Sequence, residues 1–484
     1  MKTFLPAFFA VFLFSFTGLA QVNSIKDYPL KDYVAPEIQY RLMNLGTWMN
    51  SQGGNDFDQK KSQNSFNTNL WLSYYEYLNM AKVQRTEVSR LDTRYASMMN
   101  KNDSIKQSSS YLSFRFNYLT QTRLYRKNNT FWGVHGNLEY NLSPKTQKET
   151  SRENIKRSSQ YFVITPYLSF GKGRIEPIES ARQAVDILLS LQKHGRLSVS
   201  PNKSLIDSLA RVANRIRYKR FFDFRFKTIY QLVELDKALQ GMGLVDTIDM
   251  VYFANLNDIW NYARTYKRGT GTRFEGGIIP AFYANLGKTE DPNVSAKTKN
   301  NTMNYGLYGF FSLNRMRPVS YAWQSDLMLD LTFGYDKEIR KYEQNDEVEK
   351  TETEYLRSML NASWQFGFFP NTRTYAGITP YAGLTFTSEK DADNTFGVNT
   401  GFRFDSYYYI SPRLRISLRA GFYYAHNFDD KVPTPFWNTV SYIGQSVQHL
   451  RETNDNVPFP TEATTGLVNG IAYDFSFSLT YALF

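Results

Sequence analysis

No cysteine occurs anywhere in the 484 residues. That excludes a disulfide framework, a thiolate nucleophile and any cysteine-based metal site. Long apolar runs are missing too. Past residue 21 no stretch approaches the ~18 consecutive apolar residues that a helical membrane span needs, and a mean hydropathy of −0.48 is too polar for a bundle of membrane helices. Histidine is scarce: the four present, His135, His194, His426 and His449, have no second ligand type at metal-like spacing. There is no glycine-rich phosphate loop between a strand and a helix, no zinc-protease helix motif and no calcium loop. These absences point away from an enzyme and from a bound metal or cofactor.

Aromatic residues and basic charge are in excess, with 35 Tyr, 37 Phe and a formal net charge of +12. The chain opens with Lys2, an almost wholly apolar run from Phe4 to Phe16, and small residues at Gly18 and Ala20. This is the pattern of a secretory signal over residues 1–20, cleaved after Ala20. No cysteine follows the cut, so the exported chain is not expected to be a lipoprotein.

Beyond the signal, one unit recurs: roughly ten residues of alternating character bounded by polar loops, the signature of a barrel strand that faces lipid on one side. In "SPRLRISLRAGFYY" (411–424), Leu414, Ile416, Leu418, Ala420 and Phe422 share one face, and Arg413, Arg415, Ser417, Arg419 and Gly421 the other. The tail "YDFSFSLTYALF" alternates in the same way. About twelve such runs predict an all-β transmembrane antiparallel barrel, twelve being an even number as single-chain bacterial barrels require. The expected division is an N-terminal periplasmic segment at 21–62, strands one to four within 63–171, and strands five to twelve within 272–484. Odd-to-even connections, among them 79–108, 143–159, 287–303, 336–355 and 425–466, read as long extracellular loops; even-to-odd ones read as short periplasmic turns.

One even-to-odd connection breaks that rule. In "ITPYLSFGKGRIEPIESARQAVDILL" (164–189) a strand period gives way to Ile178, Ala181, Val185 and Leu188 at helical steps. A helical periplasmic insert is therefore expected over 172–271. Its stripes are Leu205, Leu209, Val212 and Ile216; then Phe222, Phe226, Ile229 and Val233; then Ile248, Val251, Tyr252 and Ile259, all read as core of a self-packed bundle.

The signal ending "TGLAQ", the strands "ITPYLSFG" and "GITPYAGLTF", and the final Phe484 give the chain a class-level likeness: it resembles the outer-membrane β-barrel proteins of Bacteroidota. The resemblance implies residence in the outer membrane, contact with its lipid, and a terminal strand read by the barrel assembly machinery. Phe484 departs from the pattern, falling on the opposite parity to Phe475, Phe477, Leu479, Tyr481 and Leu483. The insert matches no family of known activity.

Lumen-facing charges expected from strand parity are Arg115, His135, Glu139, Arg273, Glu275, Asp330, Arg357, Arg403, Asp405, Arg413, Arg415 and Arg419. Rings of one sign select ions, whereas mixed signs cross-brace the interior. His135 and Glu139 form a candidate acid–base or hydrogen-bonded pair. Outer-membrane phospholipases carry a serine two residues after the catalytic histidine; here Asn137, Phe428 and Arg451 occupy those positions. In "RIRYKRFFDFRFK" (215–227), Arg215, Arg217, Lys219 and Arg220 form a basic patch that fits phospholipid heads or an acidic periplasmic partner. Nucleic acid is not an expected partner, given export and the lack of a binding motif. Two functions remain open: a pore or transport barrel whose insert gates or docks, and a non-conducting scaffold that anchors a periplasmic partner or the cell wall.

Overall fold

The computed structural model describes residues 25–481 apart from 57–60, 103–104, 151, 220–223, 247, 263–267, 295, 346, 391–393, 412–413 and 428–468. The signal segment, Arg220, Phe222, Arg413, His449, Phe484 and nearly all of the 425–466 connection lie outside the described residues.

Among the described residues fourteen strands form a single antiparallel sheet in sequence order. They are β1 (Ile38–Asp56), β2 (Lys61–Met80), β3 (Val83–Asn102), β4 (Ile105–Tyr125), β5 (Thr130–Glu149), β6 (Ile155–Pro177) and β7 (Gly269–Asp291). There follow β8 (Ala296–Pro318), β9 (Trp323–Gln344), β10 (Glu347–Asn371), β11 (Thr374–Glu389), β12 (Thr395–Ser411), β13 (Leu414–Asn427) and β14 (Asn469–Tyr481). Among the described residues no ladder joins β14 back to β1.

The sheet is nevertheless rolled. In a flat sheet β2 and β6 would lie about 19 Å apart at ~4.8 Å per strand, yet Asn79 of β2 donates to Glu176 of β6 at 3.0 Å. Arg123 of β4 and Glu275 of β7 meet in the same way, at 2.8 Å.

The two faces of the roll invert the rule for soluble proteins. Its concave side buries polar residues, among them Gln121, Arg123, His135, Ser169, Arg273, Glu275, Asp336 and Arg357. Its convex side exposes large apolar ones, such as Leu168, Phe274, Leu307, Phe311, Leu356 and Phe475, each more than half exposed. A contiguous apolar surface of this kind needs a nonaqueous neighbour. Strand β13 shows the alternation residue by residue: Gly421, Tyr423 and Ala425 are buried, while Phe422 and Tyr424 are exposed.

Fourteen strands replace the expected twelve, and the two extra ones have a common cause. β1 occupies 38–56 of the 21–62 segment read as periplasmic, and β3 takes up 83–102 of the 79–108 stretch read as a loop. The stretches 143–159, 287–303 and 336–355 likewise prove to be strand for most of their length, and the turns between are short. At ~3.3 Å per residue a 20-residue strand is about 66 Å long; tilted by ~40° it still rises ~50 Å, twice the ~25 Å apolar band of such a barrel. Outside the band both faces of a strand meet water, so its outer half carries no apolar period. The first residues of β10, "EVEKTE", are exposed on both faces.

Between β6 and β7 the described residues form four helices: α1 (Glu179–Lys193), α2 (Lys203–Tyr218), α3 (Phe224–Gly241) and α4 (Met250–Tyr262). Gly195, at φ 64°, follows the end of α1. Asn202 caps α2, accepting the Leu205 backbone N–H at 3.0 Å. Their core joins Ala181, Ala184, Val185 and Leu188 of α1 to Leu209, Ala213 and Ile216 of α2, Leu235 and Leu239 of α3, and Tyr252 and Trp260 of α4. At roughly 1.5–3 kcal/mol for each large side chain buried, this core is ample to hold four short helices together.

The bundle is not self-contained. Ile25, Tyr28, Leu30 and Tyr33 from the segment before β1 belong to the same core, with Tyr28 donating its hydroxyl to Asp207 and Thr270 donating to the Lys31 carbonyl at 2.8 Å.

Two expected stripes are corrected. On α3, Phe226, Ile229 and Val233 point outward, and Leu235, Leu239 and Gln231 are the buried positions. Of the last stripe, Tyr252 is buried and Ile259 packs on the core, but Ile248 and Val251 are exposed.

Candidate functional site: a braced lumen with a helical floor

The concave face holds its charges in closed groups. In the largest, Glu275 of β7 receives Arg123 of β4 through Nε at 2.9 Å and Nη2 at 2.8 Å, both on Oε2. Its Oε1 accepts the Ser169 hydroxyl at 2.7 Å and lies 2.8 Å from His135 Nε2. The same Nε2 is 2.9 Å from Ser169 Oγ. Tyr167 stacks on the imidazole at a centroid distance of 4.3 Å, and Arg273 Nε is 3.6 Å from Glu275.

Space for this group comes from Gly133, where a Cβ would lie 2.0 Å from Ser169 Oγ and 2.2 Å from His135 Nε2. The partner expected for His135 was Glu139; the structure gives it Glu275 and leaves Glu139 near Arg115.

Serine, histidine and glutamate together invite comparison with a hydrolase, but the geometry differs. A catalytic histidine takes the serine proton on one ring nitrogen while a carboxylate holds the other. Here serine and carboxylate both sit on Nε2, and Nδ1 is buried without a partner. The arrangement braces four neighbouring strands.

Other groups repeat the pattern. Arg357 of β10 lies 3.2 Å from Asp336 of β9, which also accepts the Tyr308 hydroxyl at 2.8 Å. Asp405 takes Arg403 at 2.6 Å and Arg419 at 3.0 Å. Arg415 lies over the rings of Tyr407 and Tyr409, 5.9 Å from each centroid. Asp330 borders a void of about 30 Å³ with Arg273, Glu275 and Tyr167. Mixed signs therefore cross-brace the lumen, and no ring of one sign lines it among the described residues. Nor is any group of three or more His, Asp or Glu there arranged to hold a metal ion.

The expected basic patch is divided. Arg217 turns into the bundle, donating to Gln183 and lying 6.0 Å over the Trp260 ring, while Lys219 covers Tyr230 at 3.9 Å. Arg215 and Lys219 remain exposed.

Toward the helices the lumen opens into a cavity of about 390 Å³. Strands β1–β4 and β6–β8 supply its wall, and Glu179 of α1 and Tyr218 of α2 supply its floor. The floor is fastened to the rim. Arg268, immediately before β7, donates to the carbonyls of Ser320, Tyr321 and Trp323 and to Gln324 Oε1, at 2.6–3.2 Å. It also lies 4.8 Å over the Phe369 ring. Tyr321, in the β8–β9 turn, donates its hydroxyl to Asp186 of α1, whose other oxygen accepts Arg182 at 3.2 Å. Burial pushes the Asp186 carboxyl above its ordinary value, and Arg182 opposes that shift.

Glycine is required where this end of the sheet bends. Gly173 and Gly271 adopt φ 99° and 123°, and a Cβ on either would lie 2.0 Å from a backbone carbonyl of the facing strand.

Arg123 was not among the lumen charges expected from parity, because β4 runs on to Tyr125, past the end of its alternating run. Ser169 lies on the face opposite the exposed Leu168 and Phe170, and strand period alone carries no signal that brings it to His135.

No protein-family model and no curated protein matches the chain. Among solved structures, the translocator domain of the autotransporter NalP from Neisseria meningitidis is similar at 9% identity and a TM-score of 0.25, covering 78% of this chain and 91% of that one. The transport unit of the autotransporter AIDA-I from Escherichia coli gives 8% and 0.25, over 77% and 90%. The ferric yersiniabactin uptake receptor FyuA from Yersinia pestis gives 6% and 0.27, over 82% and 62%. Similarity at these scores carries no conclusion about fold or function.

Proposed function

We propose that the protein is an outer-membrane transport barrel of the Bacteroidota type, closed at its periplasmic end by the helical bundle, which acts as a plug and gate. The observation that carries this reading is the position of α1. Its apolar side lies in the bundle core, while its polar residues Arg182, Gln183 and Asp186 are also buried, tied to one another, to Arg217 and to the rim residue Tyr321. A domain hung in the periplasm only to recruit a partner has no need to bury polar groups against the barrel. A plug must do so. Of the two roles open to the insert, gating and docking, this reading takes gating.

The convex apolar belt supports contact with outer-membrane lipid, and the secretory signal supports export. Assembly through the terminal strand by the barrel machinery belongs to the same reading. The exposed Arg215 and Lys219 keep a periplasmic or cell-wall contact within it, as a secondary role of the plug. An enzymatic role has no support in the His135 geometry.

The test combines fractionation with single-channel recording. The mature protein should sediment with the outer membrane and migrate faster unboiled than boiled; release by carbonate alone contradicts the membrane assignment. Full-length protein should stay mostly closed. The double variant Tyr321→Phe/Arg373→Ala, which also removes the bond from Arg373 of the β10–β11 turn to Asp258 of α4, should open more often. A wide, steady conductance in the unmodified protein contradicts the plug.

A further inference from the structure

The cavity above the helical floor has a chemistry of its own. Five tyrosines border it: Tyr40, Tyr74, Tyr75, Tyr77 and Tyr218. Three of them form a continuous aromatic surface from wall to floor, with Tyr40 6.0 Å from Tyr75 and 5.7 Å from Tyr218 between ring centroids.

The charged residues beside them are largely compensated. Arg123 is held by Glu275. Arg90 donates to both oxygens of Asp92 at 2.8 Å. Glu176 is met by Arg174 at 2.5 Å and Asn79 at 3.0 Å, and Arg268 is engaged by the rim oxygens.

The cavity therefore offers a guest neutral hydrogen-bonding groups: Asn44, Ser73, Thr86, Gln121 and Asn314. Gln121 is only 3% exposed. Its Nε2 has the Tyr167 hydroxyl in range of one N–H and no acceptor for the other. A buried amide donor left in this state is costly unless a ligand or water supplies an acceptor.

We infer that this cavity is a binding site for a neutral saccharide of one or two rings. Aromatic faces pack against the C–H face of a sugar ring while amides and hydroxyls meet its hydroxyl groups. An anion would need uncompensated guanidinium groups, and an apolar ligand would leave Gln121 and the asparagines without partners. A volume of 390 Å³ falls at the small end of the roughly 300–1,000 Å³ typical of ligand sites, which matches one or two rings and excludes a long chain. The inference rests on the transport reading and specifies the class of solute, but binding is measurable without transport.

The experiment is calorimetric titration of the full-length protein in a detergent without a sugar headgroup, using maltose, cellobiose, citrate and triglycine as probes. At least one disaccharide should bind in the micromolar to millimolar range, more tightly than citrate or triglycine. Gln121→Leu and Tyr75→Leu should each weaken that binding roughly fivefold or more, with heat-modifiable migration retained. If a variant fails to assemble, Gln121→Glu serves in its place: it removes the donor while keeping the shape, and the same loss is expected. No binding of either disaccharide, tighter binding of citrate or triglycine, or unchanged affinity in the variants would overturn the inference. A protein that gates as proposed but ignores both disaccharides loses this inference and keeps its plug. Disaccharide binding in a protein whose conductance ignores the bundle does the reverse.

Discussion

Arg373, in the β10–β11 turn, donates through Nη2 to both carboxylate oxygens of Asp258 on α4, at 2.7 and 2.9 Å. The contact spans 115 residues of sequence and fastens α4 to the rim, at the turn neighbouring the one where Tyr321 meets Asp186. Both side chains are about one-third exposed, so the pair is worth at most about 1 kcal/mol. Its value lies in position. Asp258→Arg should raise the open fraction of the channel severalfold, and adding Arg373→Asp should restore most of the closed state. Equal opening in the single and double variants would show that the contact does not hold the bundle.

The lipid-facing side of β13 is testable by a matched pair of substitutions. Leu418 shares the parity of the exposed Phe422 and Tyr424, whereas Arg419 bonds to Asp405 inside the lumen. Leu418→Arg should impair assembly by about 2–4 kcal/mol if it sits near mid-depth. Arg419→Leu should assemble nearly normally, because Asp405 keeps Arg403. Heat-modifiable migration after refolding in a urea series reads both. Similar losses from the two would contradict the assigned faces.

Gly133 and Gly136 differ in what a methyl group would meet. At Gly133 it collides with Ser169 and His135, whereas at Gly136 its nearest neighbour is Thr120 Cγ2 at 3.9 Å. Gly133→Ala should therefore destabilise the folded barrel by about 1–3 kcal/mol through overpacking, and Gly136→Ala should be close to neutral. The urea midpoint of the heat-modifiable form measures the difference.

Orientation follows from which end carries the helices. An epitope inserted after Asn345, which follows the end of β9, should be stained on intact cells. One inserted beside Gly195, between α1 and α2, should be stained only after the outer membrane is opened. The opposite staining would invert the topology.

Alternation alone revealed the sheet, its antiparallel meander and the place of the helical insert, because a strand with lipid on one side and polar lumen on the other writes its period into the sequence. It failed where that contrast vanishes. The outer parts of β3 and β10 meet water on both faces and look like loops. The outward stripe of α3 looked like core, because periodicity shows that a helix has an apolar face but not which neighbour covers it. Phe226 and Ile229 are each more than 60% exposed. The lumen charges Arg273, Glu275 and His135 were found by parity, but their grouping was not. His135 meets a glutamate 140 positions away only because β5, β6 and β7 lie side by side and Gly133 leaves room. Such pairings are set by register between strands, which no single strand encodes.

The central claim is that the helices close the lumen. It is tested most directly by replacing residues 179–262 with a short glycine-containing turn that joins β6 to β7, then recording single channels from the refolded barrel. The protein should still show heat-modifiable migration, since the fourteen-stranded ladder does not pass through the helices, and its conductance should rise to a large, steady level. A barrel that assembles without the helices yet conducts no more than the full-length protein would contradict the account.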